Sequence, residues 1–70
     1  MERAPVSSSM IRSIGYDPDT RSLEIEFIKG GSVWLYSEFP PEEYEALQGA
    51  DSAGKFFLSR IKGKYPETKT

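Results

Sequence analysis

The chain contains no cysteine and no histidine. The first absence removes disulfides, thiolate metal sites and cysteine nucleophiles, and it fits a reducing compartment. The second removes the side chain best placed to move protons near neutral pH. Long apolar runs are also missing: nothing approaches the roughly 18 residues of a membrane span, and residues 1–9 lack the apolar segment of a secretory leader. A cytoplasmic protein with no membrane association is the expectation. A basic excess is missing as well, the net charge being −2, whereas a surface given over wholly to nucleic acid usually carries one. No repeat, low-complexity tract or linker divides the chain, so residues 1–70 are read as a single domain.

What the chain does have is aromatic side chains. Four Phe, four Tyr and one Trp make up 13% of the 70 residues, and large rings let a chain this short bury enough apolar surface to fold without staples. Charge is unevenly placed. Residues 1–37 hold four basic and five acidic side chains, residues 38–51 none and five, and residues 52–70 five and one. A basic terminal element therefore follows an acidic one.

Leu23, Ile25 and Phe27 alternate with Glu24 and Glu26, the period-two signature of a strand with one buried face. Gly30-Gly31 suits a two-residue type I′ turn, with residues 32–37 as the returning strand. That turn sets Phe27 opposite Trp34 and Ile25 opposite Tyr36 on one face, and Glu26 opposite Leu35 and Ile28 opposite Val33 on the other. Upstream, Asp17-Pro18-Asp19-Thr20 is a turn leading back to a first strand over about residues 9–16. Ile11 is out of phase there with Ile14 and Tyr16, which predicts a bulge near Arg12-Ser13.

Phe39-Pro40-Pro41-Glu42-Glu43-Tyr44 reads as a helix start, with proline and acids in the first turn and Phe39 poised to staple onto Tyr44. Leu47 faces inward and Gly49 ends this helix. Asp51 or Ser52 caps a second helix that runs to about Lys62, with Gly63 beyond it. Ala53, Phe57 and Ile61 share its packing face, while Lys55, Ser59 and Lys62 lie opposite. The expected fold is α+β: a three-stranded antiparallel β-meander followed by a two-helix hairpin packed on one face.

The Trp34-Leu35-Tyr36 strand, the Phe39-Pro40-Pro41 helix start, the stretch Ala50-Asp51-Ser52-Ala53-Gly54-Lys55-Phe56-Phe57 and the run from Ile61 to Tyr65 give the chain a likeness. It resembles the KTSC domain family over about residues 5–66. Ser7-Ser8-Ser9 with Ile11, and Ile14-Gly15-Tyr16-Asp17, fit the same pattern. Trp34 stands where the family's central Tyr-x-Tyr has its first tyrosine. The family occurs as short bacterial proteins and as a C-terminal extension of some lysyl-tRNA synthetases. The resemblance implies an accessory role in RNA binding.

No catalytic, cofactor or metal site is expected. The remaining nucleophiles and carboxylates form no recognisable motif, and Glu42, Glu43 and Glu45 are spaced for a solvated helix start. Gly30-Gly31 lacks the helix and the Lys-Ser/Thr pair of a phosphate loop. Trp34 and Tyr36 could form a stacking platform for bases, but the register turns them toward the core face.

Two binding readings remain. In the first, Lys55, Arg60, Lys62 and Lys64, with Phe56 and Tyr65 nearby for stacking, contact RNA, either tRNA or a single strand. In the second, Ile28, Val33 and Leu35, with Ile11, form an apolar outer sheet face that takes a protein partner or a second copy, unless residues 4–8 fold over it. The outer strands also leave edges open to another strand.

Overall fold

The computed structural model describes residues 3–70. Its centre is built by the alternation in β3 (Ser22–Phe27), where Leu23 and Ile25 are buried and the intervening glutamates face outward. β2 (Ile11–Asp17) pairs antiparallel with β3, and its register shifts between Ile11 and Ser13. This is the predicted bulge. It has a consequence for the core: Ile11 and Ile14, three residues apart, are 0% and 3% exposed. Ile11 is therefore a core residue and not part of an outer apolar face.

The α+β architecture holds, with two helical segments on one side of an antiparallel sheet. That sheet has five strands rather than three, in the order β1 (Ala4–Pro5), β2, β3, β4 (Val33–Tyr36), β5 (Glu67–Lys69). β1 and β5 are short and exposed and carry no apolar alternation, so nothing in their sequence marks them as strands. They occupy both edges of the expected meander. β1 lies beside β2 rather than over the sheet, and its Pro5 has no N–H to offer a further strand.

The β3–β4 hairpin corrects the expected register by two residues. Ile25 faces Trp34, Leu23 faces Tyr36, Glu24 faces Leu35 and Glu26 faces Val33. Gly30 and Gly31 hold positive φ of 77° and 63°, but Ile28 is already in the right-handed helical region. Its N–H donates to the Met10 carbonyl at 3.0 Å, and the Phe27 N–H donates to Ser32 at 2.8 Å, so the loop spans residues 28–31. The claim of the Met10 carbonyl, just before β2, on the Ile28 amide lengthens the turn. A shift of two residues preserves which face each side chain meets, and the predicted core side is unchanged. Ile28, however, leaves the sheet: it sits in the loop, 41% exposed, and does not face Val33.

α1 (Pro41–Gln48) begins at Pro40-Pro41 with Glu42 and Glu43 in its first turn. α2 (Ala53–Phe56) is capped by Ser52, whose Oγ accepts the Lys55 N–H at 3.2 Å, and continues as a π turn at Phe57–Ile61. The helices close the inner face of the sheet. Phe57 meets Phe27 and Tyr36 edge-on at 5.1 and 5.8 Å between ring centroids. Tyr44 stacks on Tyr16 at 4.6 Å, and Tyr16 in turn meets Phe39 at 71°. Tyr16 thus links the two rings expected to staple the start of α1.

Phe57→Ala is expected to lose about 3–5 kcal/mol, most of the stability of a domain this small; a urea melt measures it. Tyr36, opposite Glu67 in the sheet, has its phenol pushed up to about 12, by burial first and by the Glu67 carboxylate second. In the unfolded chain the group titrates near 10.0. Stability is therefore complete below pH 10 and falls as pH rises toward 12. Tyr36→Phe should flatten that part of the pH–stability curve.

Candidate nucleic-acid interface

The basic element is held at both ends. Ser52 caps its start, and at its end the Lys62 N–H reaches the Phe57 carbonyl at 2.8 Å, an i→i+5 bond. Ser59 contributes to the widened turn. Its hydroxyl donates to the Lys55 carbonyl at 3.0 Å, a back-bond that loosens helical pitch. Widening suits the packing: Ala53, Phe57 and Ile61 recur every four residues, and a 3.6-residue turn would rotate each by about 40° from the last. Gly63, with φ 75°, then reverses the chain, and the Lys64 N–H bonds to the Ile61 carbonyl.

The residues read from sequence as an RNA site separate into two groups. Lys55, Lys62 and Lys64 are exposed, and no salt bridge among the described residues engages them. Arg60 is committed elsewhere. Its Nη2 and Nε donate to the two carboxylate oxygens of Glu43 at 2.7 and 3.3 Å, and its guanidinium lies 5.3 Å from the Phe56 ring centre. Tyr65 is half-buried, edge-on to Phe39 at 4.8 Å, and anchors the segment that returns to β5. Arg60, Phe56 and Tyr65 therefore tie the basic element to α1 and the core, and the three lysines face water.

The outer sheet face is polar across β1 to β3. Arg3 Nε donates to Ser13 Oγ, which donates to Glu26 Oε1 at 2.9 Å, and Arg3 also pairs with Glu24. Val33 and Leu35 are half-buried, with Glu26 and Glu24 as their cross-strand neighbours on β3 and Thr68 opposite Leu35 on β5. With Ile28 in the loop and Ile11 in the core, the predicted partner face is reduced to these two residues between polar neighbours.

Trp34 and Tyr36 share the inner face but not an environment. Tyr36 is buried under Phe57, whereas Trp34 is half-buried and lines an open cup of about 510 Å³ with Met10, Phe27 and Ile28 at the hairpin end of the sheet. Sequence reasoning missed this cup because it depends on the two-residue register shift.

Among the described residues no group of three or more acids is placed to hold a metal ion, and no helix is long and apolar enough to cross a membrane. The Tyr65 phenol titrates above its ordinary range, through burial first and then the Glu43 carboxylate, with Arg60 opposing. Glu43→Gln should therefore lower the Tyr65 pKa and Arg60→Gln should raise it. The Tyr65 Cζ chemical shift across alkaline pH reads both changes.

Comparison with known proteins agrees with this layout. The model of the KTSC domain matches residues 7–65. An uncharacterised protein of Stutzerimonas stutzeri is 46% identical over 65 residues, covering 93% of this chain and 90% of that protein. A lysine-tRNA ligase of Nostoc punctiforme is 42% identical over 57 residues, which are 81% of this chain but only 10% of the ligase. The crystal structure of a KTSC domain protein from Yersinia pestis superposes with a TM-score of 0.95 at 46% identity, covering 99% of this chain and 96% of that one. On its sequence and its fold alike, this chain belongs to the KTSC domain family.

Proposed function

We propose that the chain is a non-catalytic accessory module that binds RNA through the exposed face of α2 and the turn after it. The observation that carries this reading is the set of three uncompensated lysines, Lys55, Lys62 and Lys64, on an element whose other charged residue, Arg60, is neutralised by Glu43. The occurrence of a matching region in lysine-tRNA ligases, proteins that by name act on tRNA, supports the choice of RNA over other polyanions.

Three phosphate contacts make a weak, salt-sensitive grip. For a single strand they give a slope of log K against log salt of roughly −2. Such an element raises the local concentration of an RNA or adds affinity to a larger assembly, and it does not read sequence by itself. The apolar outer face offers less, since Val33 and Leu35 are flanked by Glu24, Glu26 and Thr68.

The test is a titration of isotope-labelled protein with tRNA and with a short single strand at low and moderate salt. Amide shifts concentrated at residues 55–65 and fading with salt are expected. The triple variant Lys55→Glu, Lys62→Glu, Lys64→Glu should keep the fold, because all three side chains are exposed, and lose the binding. Undiminished affinity in that folded variant would overturn the proposal.

A further inference from the structure

The cup at the hairpin end has a floor, a wall and a charged rim. Phe27, held edge-on by Phe57, forms the floor, and the half-buried Trp34 forms the wall. Met10 and the 41% exposed Ile28 complete an apolar surface, while Ser9 and Ser32 place hydroxyls beside it. Lys29 is the charged residue of the lining, and no carboxylate is part of it. A second cation adjoins: Lys69 is the direct cross-strand neighbour of Trp34, so both side chains leave the sheet on the same side. The volume lies within the roughly 300–1,000 Å³ of small-ligand sites.

We infer that this cup stacks an unpaired nucleobase of a single-stranded RNA against Trp34, with Lys29 and Lys69 on the flanking phosphates. The inference rests on the RNA reading above and gives it a class of ligand, an unstructured strand in place of a duplex. Aromatic faces take bases in this way because every base has a π-face, and the adjacent cations track the backbone. The cup adjoins the basic element through Met10. A Cβ at Gly54 would stand 3.4 Å from Met10 Cβ, and Leu58, 50% exposed, then Lys62 follow Gly54 at steps of four residues. A strand seated in the cup can therefore run along that side of the helix toward Lys62.

A second copy of the chain fits the cup less well. A two-fold dimer through this surface brings the same patch to both partners, and Lys29 and Lys69 of one copy would then meet those of the other, a like-charge contact that opposes association.

Trp34 is the only tryptophan, so its emission reports on the cup directly. The experiment titrates the protein with short oligoadenylate and oligouridylate and with a duplex RNA of equal length, while amide shifts at residues 55–65 are followed in parallel. Saturable quenching by the single strands is expected. Trp34→Leu and, at an exposed position with no core to disturb, Ile28→Asp should each weaken single-strand binding on the order of ten-fold, the effect of losing one stacked base, and leave duplex binding unchanged. Shifts at residues 55–65 with unaltered emission and wild-type affinity in both variants would overturn the cup and leave the RNA reading standing. Binding to neither strand nor duplex would overturn both. Emission that instead changes with protein concentration, alongside a dimer in sedimentation, would assign the cup to a second copy and overturn it as a base site.

Discussion

Phe39 is the residue on which the two layers are joined. Its ring is fully buried, its N–H donates to the Arg21 carbonyl at 2.9 Å, and its carbonyl accepts the Tyr16 hydroxyl. Both backbone groups and the side chain are thus committed at the point where the chain leaves β4 for α1. The residue before it, Glu38, is in the left-handed region with φ 59°, as is Arg21 with φ 56°. Two non-glycine residues held there show that the surrounding packing dictates the backbone at this junction. From it, Pro40-Pro41 starts α1 at one angle, Tyr44 reaches Tyr16, and Tyr65 closes on the Phe39 ring from the far end of the helical pair. The return to β5 follows, with the Ser37 N–H on the Pro66 carbonyl.

That closure decides how the charges are shared. The acidic element precedes the basic one in sequence, and a fold that laid one flat on the other could have cancelled most of both. Instead the helices meet through one bidentate pair, Glu43 with Arg60, beside Phe56. A partly exposed pair of this kind contributes little stability. The orientation of the second helical segment is set by the burial of Phe57 and Ile61, and the pair forms on the side that this burial turns toward α1, away from the exposed lysines.

The sequence was informative wherever a residue both buried a face and obeyed a period. β2, β3 and β4 were legible for that reason, as were the bulge at Arg12-Ser13, a cap at Asp51 or Ser52, which the structure resolves to Ser52, and the Gly63 reversal. Even the four-residue step of Ala53, Phe57 and Ile61 was visible, although its meaning, a π turn, was not. β1 and β5 bury nothing and are set by backbone pairing with their neighbours alone, which leaves no pattern to find. Local turn chemistry does not set the hairpin register, because the Met10 carbonyl, eighteen residues upstream of Ile28, competes for the turn's first amide. The lysines could be read from composition. The commitment of Arg60 could not, since Glu43 comes to it only through the folded helix pair.

Trp34 and Tyr36 show how much that register matters. In the expected pairing Trp34 stood opposite Phe27, deep in the aromatic cluster. In the structure it pairs with Ile25, and the helical layer reaches Tyr36 and Phe27 through Phe57 but leaves the indole half in solvent. A domain of this size gains its stability from complete burial of its largest side chains, and an indole left at the mouth of a cup forgoes part of that gain. What the indole presents instead is a π-face at the open end of the sheet, beside Lys29 and Lys69, where the two-residue register shift and the reach of Phe57 together leave it uncovered.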